Sequence, residues 1–100
     1  MVPKLKYSQY SKFEQALDSR DFYLTSIMVE SILDAKFKNK TIATIFEVYF
    51  EDGTESYILT LKRKDWRNTL IKCLPDYEKR ELYEKCAEMK QLIDELEIQT

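Results

Sequence analysis

Residues Phe22–Phe37, FYLTSIMVESILDAKF, decide the architecture, because the segment fits two periods at once. At a period of two, Val29, Ser31, Leu33, Ala35 and Phe37 share one face of a strand; at a period of about 3.6, Phe22, Val29, Leu33 and Phe37 form the stripe of a helix. The β-branched Thr25, Ile27, Val29 and Ile32 favour the strand, since branching at Cβ restricts the side chain in a helix and packs well on a pleated surface.

The next segment of the chain supports the same choice. Ile42, Thr44, Phe46, Val48 and Phe50 alternate with Ala43, Ile45, Glu47, Tyr49 and Glu51, and the alternation resumes in Tyr57–Lys62. Between the two runs lies Asp52-Gly53, which holds the only glycine of the chain. An Asp-Gly pair between alternating runs predicts a hairpin with a two-residue type I′ turn, which needs positive φ at both central residues. The turn fixes the register so that paired residue numbers sum to 105: Val48 faces Tyr57, Phe46 faces Leu59 and Thr44 faces Leu61. Lys38–Thr41 then reads as a second turn, which pairs Phe37 with Ile42 and Leu33 with Phe46 and completes a three-stranded antiparallel meander. On its second face the meander carries Ile45, Tyr49 and Ile58, flanked by Ile32.

Helices are expected at both ends. Ser11 and Glu14 have capping-box spacing, with Phe13, Ala16 and Leu17 as the apolar stripe of a short helix that ends near residues 18–21. Asp65 can cap a helix carrying Trp66, Leu70, Cys73 and Leu74, which Pro75 interrupts. From Asp76 onward Leu82, Cys86, Met89, Ile93 and Leu96 recur at spacings of four and three, the seam of a long last helix expected to cover the sheet. The expected fold is therefore α+β: a short N-terminal helix, a three-stranded antiparallel meander and two C-terminal helices, the long last one packed on the sheet, in a single domain over residues 1–100.

The 100 residues are 44% apolar and 34% charged, as in soluble globular domains. Sixteen basic and eighteen acidic side chains leave a net charge of −2, so no global field attracts nucleic acid or an anionic membrane. The first ten residues, MVPKLKYSQY, lack the apolar centre of a signal peptide, and no run approaches the roughly 20 apolar residues of a membrane span, so a cytoplasmic location is expected.

Chemistry is scarce. The absence of histidine removes the commonest general base near neutral pH and with it Ser-His and Cys-His nucleophile pairs. A single glycine excludes the glycine-rich loops that hold nucleotide phosphates, and two cysteines fall short of a closed zinc site. Cys73 and Cys86 both fall on apolar helix stripes and read as small core residues. Neither an enzyme nor a cofactor or metal site is expected.

Binding remains. The expected function is that of a small non-enzymatic binding or regulatory protein acting through protein–protein contact with another chain or a second copy, with Ile32, Ile45, Tyr49 and Ile58 as the contact surface. The alternative is a nucleic-acid-binding module. The meander gathers Lys36, Lys38, Lys40, Lys62, Arg63 and Lys64 at one pole, with Trp66 to stack on bases and Arg67 beside it. Lysines on turns and strand ends also serve simply to keep an edge from pairing, and Trp66 has the size of a core anchor.

Overall fold

The computed structural model describes residues 2–98. Along the chain run β1 (Lys4–Tyr7), α1 (Tyr10–Asp18), α2 (Phe22–Phe37), β2 (Ile42–Phe50), β3 (Tyr57–Lys62), α3 (Arg63–Lys79) and α4 (Tyr83–Ile98). The fold is α+β, but the sheet is mixed: its order is β1-β2-β3, with β1 parallel and β3 antiparallel to the central β2.

Phe22–Phe37 is a helix, which overturns the expected meander. The Asp21 carboxylate caps it by accepting from the Tyr23 N–H at 2.8 Å. The chain leaves it through Asn39 in the left-handed region at φ 56°. Leu24, Thr25, Ile27, Val29, Ile32 and Ala35 are all buried, and they cover most of the helix circumference. The physical reason is position: α2 packs on β2 with one side and on α3 and α4 with others. A helix enclosed in this way loses the single apolar stripe that distinguishes a period of 3.6, and the β-branched content then imitates a strand.

The third strand comes instead from the N-terminus. In β1, Leu5 lies opposite Val48 and Tyr7 opposite Phe50 on the core side, while Lys4 and Lys6 point outward beside Glu47 and Tyr49. A parallel pair needs a crossover, and α1 with α2 supplies it.

The hairpin forms in the expected register near its turn, Val48 opposite Tyr57 and Phe46 opposite Leu59, but shifts by one residue between Thr44 and Phe46. Thr44 therefore faces Thr60 and not Leu61. The extra residue is Ile45, and the bulge it creates turns both Ile45 and Phe46 into the core, each 0% exposed. The turn is also wider than a type I′ pair. The strands stop at Phe50 and Tyr57, only Gly53 has positive φ, at 89°, and the Asp52 carboxylate closes the corner by accepting from the Thr54 N–H at 2.9 Å. That interaction with Thr54 holds the Asp52 carboxyl below its ordinary pKa.

Helix boundaries differ too. Gln9 occupies the N-cap of α1 without a side-chain hydrogen bond, so Ser11 and Glu14 form no capping box. The third helix begins at Arg63, directly after β3, with Asp65 in its first turn, and it runs through the exposed Pro75 to Lys79. The break falls later, where Glu81 takes φ 60°. In α4 the seam residues Cys86, Met89, Ile93 and Leu96 are buried as expected, together with Leu92, whereas Leu82 precedes the helix and is exposed. This seam packs on α3 and α2, and the sheet is covered by α2 and α3. At the turn end of the hairpin α1 inserts Phe13 edge-on to Phe46, ring centroids 5.8 Å apart and planes at 90°.

Candidate protein-contact surface

Alternation along the strands divides the sheet into two faces. Leu5, Ala43, Phe46, Val48 and Phe50 point to the helices and are buried, whereas Lys4, Lys6, Thr44, Tyr49, Ile58, Thr60 and Lys62 are exposed on the other side. The register places Lys6 beside Tyr49, Glu47 beside Ile58 and Ile42 beside Lys62. Tyr49 and Ile58, exposed by 36% and 57%, thus lie close on the open face beside the β1 lysines, and Ile42, exposed by 48%, stands beyond Thr44 and Thr60 next to Lys62. Interaction with the Glu47 side chain holds the Tyr49 phenol above its ordinary pKa.

Two of the four residues expected on this surface are elsewhere. Ile45 is turned into the core by the bulge, and Ile32 sits in the buried part of α2, both at 0% exposure. Tyr49 and Ile58 remain together. Ile42 is exposed on the same face beyond Thr44 and Thr60, and the lysine rim comes from Lys4 and Lys6, whose alternation in KLKY was the available signal over only four residues. Phe37, expected on the core side of a strand, is 85% exposed at the last position of α2.

The basic pole is assembled in part. The Arg63 N–H donates to the Thr41 carbonyl at 2.9 Å, and this contact brings the α2–β2 turn against the end of β3. Much of the charge is balanced within the chain: Lys36 pairs with Glu95 at 3.3 Å, Lys38 with Asp34 at 3.1 Å and Arg67 with Glu97 at 3.6 Å. The acidic end of α4 thereby finds its basic partner in α2 and α3. Trp66 is fully buried, its indole N–H donating to the Leu61 carbonyl at 2.9 Å, with the Arg63 guanidinium 5.6 Å from its ring centre, so it presents no surface on which a base could stack. Among the described residues Lys40, Lys62 and Lys64 are left without an ion pair.

Cys73 and Cys86 are free and buried, and burial pushes the Cys73 thiol above its ordinary pKa, away from the reactive thiolate. Among the described residues no cluster of three or more Cys, Asp or Glu side chains is placed to hold a metal ion. The chain matches no protein-family model, no curated protein and no solved structure.

Proposed function

We propose that the chain is a small non-enzymatic binding or regulatory protein that acts through protein–protein contact on the open face of its sheet. One observation carries this reading: the helices cover one face, and the other presents Ile42, Tyr49 and Ile58 to solvent between lysines. Apolar and aromatic side chains ringed by polar ones are the composition of an interface centre and its rim. Tyr49→Asp with Ile58→Asp puts two desolvation-resistant charges into that centre. Association with the partner pulled from native cells, or with a second copy, is expected to fall by at least about a hundredfold while the melting temperature stays within a few degrees. Sedimentation velocity with a thermal melt checks this; unimpaired association in the folded variant sinks the reading.

Nucleic-acid binding is the second reading, favoured by Lys40, Lys62 and Lys64, which flank the Thr41–Arg63 contact and have no ion pair among the described residues. With three such cations, log affinity for duplex DNA would fall with log salt at a slope of about 2.7, roughly 0.9 per phosphate. A titration against labelled duplex at low ionic strength is expected to show no saturable binding, because Lys36, Lys38 and Arg67 are neutralised by Asp34, Glu95 and Glu97. Saturable binding with that slope would favour the nucleic-acid reading instead.

A further inference from the structure

The bulge and the short first strand leave part of β2 bare. β1 pairs only with Glu47–Phe50, and its upstream end is marked by the Glu47 N–H donating to the Pro3 carbonyl at 2.9 Å. Residues 42–45 have no strand on that side among the described residues. Which backbone groups face the gap can be deduced from one hydrogen bond. Because the Arg63 N–H donates to the Thr41 carbonyl, Ile42 and Lys62 form a non-hydrogen-bonded antiparallel pair, and so, two residues on, do Thr44 and Thr60. Ile42 and Thr44 therefore turn their own N–H and C=O groups away from β3, toward the bare edge.

That edge opens into a groove of about 480 Å³ between β2, the start of β1 and α2, lined by Ile42 and Thr44 on one side and by Ile27, Ser31 and Ala35 on the other. The free stretch of β2 spans roughly 13 Å, enough for about four extended residues. Groove charges are largely matched: Glu30 binds Lys85 at 2.9 Å and Asp34 binds Lys38 at 3.1 Å. Lys40, at the end remote from Pro3, has no ion-pair partner among the described residues, so a lysine stands open to an acidic group at that end.

The geometry points to a β-strand addition site: an extended peptide segment of a partner protein lies antiparallel to β2 in this groove, hydrogen-bonded to the Ile42 and Thr44 backbone. Its alternate side chains meet a mixed wall of α2, apolar at Ile27 and Ala35 and polar at Ser26, Glu30, Ser31 and Asp34, and an Asp or Glu at its C-terminal end reaches Lys40. An unpaired edge supplies affinity through main-chain hydrogen bonds, and the antiparallel direction brings the C-terminal end of the segment to the start of β2. This inference rests on the protein-contact reading and names the form of the partner; it shares Ile42 with the open face but does not use Tyr49 or Ile58.

The test titrates the full chain with a short synthetic peptide of alternating threonine and valine ending in aspartate. Two further peptides serve as controls, one ending in lysine and one fully N-methylated, and amide exchange is followed by NMR. The aspartate peptide is expected to slow exchange of the Ile42 and Thr44 amides by about tenfold or more, and the N-methylated peptide to leave them unchanged. Lys40→Glu, a surface change that spares the fold, is expected to weaken the aspartate peptide about tenfold and to reverse the preference toward lysine. Unchanged exchange at millimolar aspartate peptide overturns the site. So does protection that arises on raising protein concentration without peptide, which would make a second copy the occupant. Perturbation confined to Tyr49 and Ile58 also overturns it while leaving the open-face reading standing; loss of partner binding in neither surface's variants removes both.

Discussion

Trp66→Ala is expected to leave the domain largely unfolded at 37 °C. The indole is fully buried and bonds the Leu61 carbonyl at 2.9 Å, so truncation removes the largest core side chain and a hydrogen bond together. Removing a buried aromatic costs about 3–5 kcal/mol, and stranding a carbonyl adds about 1 kcal/mol, against a total stability of roughly 5–15 kcal/mol for a domain of this kind. At about 4–8 °C per kcal/mol, the melting temperature should fall by roughly 15–50 °C. Trp66→Phe should keep much of the packing and lose mainly the hydrogen bond, with a fall of about half that size or less. Far-UV circular dichroism gives both midpoints without relying on the tryptophan itself. A Trp66→Ala protein that melts within a few degrees of the parent would mean that α3 is not anchored on β3 through this ring.

The consequence reaches the binding surfaces. No loop separates Lys62 at the end of β3 from Arg63 at the start of α3, so the indole fixes the angle at which the third helix leaves the sheet. The same corner holds the Thr41–Arg63 contact, which sets Ile42 and Thr44 facing the groove. Losing the anchor therefore loosens the edge proposed to take a peptide, even in molecules that stay compact.

Local rules made the hairpin legible. Alternation in Ile42–Phe50 and Tyr57–Lys62 identified both strands, and the glycine placed the corner, because only local backbone and side-chain period were involved. The seam of α4 was legible for a similar reason: its apolar residues face one side only. The α2 segment was not, because its environment is set by three neighbouring elements and its period is blurred by burial on most sides. The four residues of β1 carry a signal too short to outweigh any alternative, and their partner lies some forty positions away in a parallel pairing that no turn announces. At the candidate surface, Tyr49 and Ile58 could be read from the hairpin register, while Ile45 was misplaced by a bulge that has no local mark such as glycine. Trp66 illustrates the ambiguity of composition: an aromatic beside a basic cluster suits a nucleic-acid face or a core anchor, and the hydrogen bond to Leu61 decides for the core.

That bulge makes Ile45→Asp and Ile58→Asp opposite experiments, although a straight β2 would put both residues on the open face. In the bulged strand Ile45 is 0% exposed and Ile58 is 57% exposed. Ile58→Asp should change stability by about 1 kcal/mol or less, the scale of β-propensity at a solvated position. Ile45→Asp loses a buried aliphatic side chain, worth about 2–5 kcal/mol, and places a carboxyl where ionisation is strongly opposed. If burial raises its folded pKa by about three units, ionisation in the unfolded chain adds roughly 4 kcal/mol to the penalty at pH 7, which exceeds what most domains of this size can absorb. The sign of the pH dependence is fixed. The group binds its proton more tightly when folded, so the added penalty is absent below the unfolded pKa of about 3.9, grows with pH above it, and is complete once pH passes the folded pKa. Urea midpoints for the two variants at about pH 4 and pH 7 provide the comparison. Relative to the parent protein, Ile45→Asp should be near collapse at neutral pH and partly rescued in acid, with Ile58→Asp little changed at either. Equal stability of the two at pH 7 would return Ile45 to the surface, and with the bulge gone Ile42 and Thr44 would no longer present their backbone to the groove.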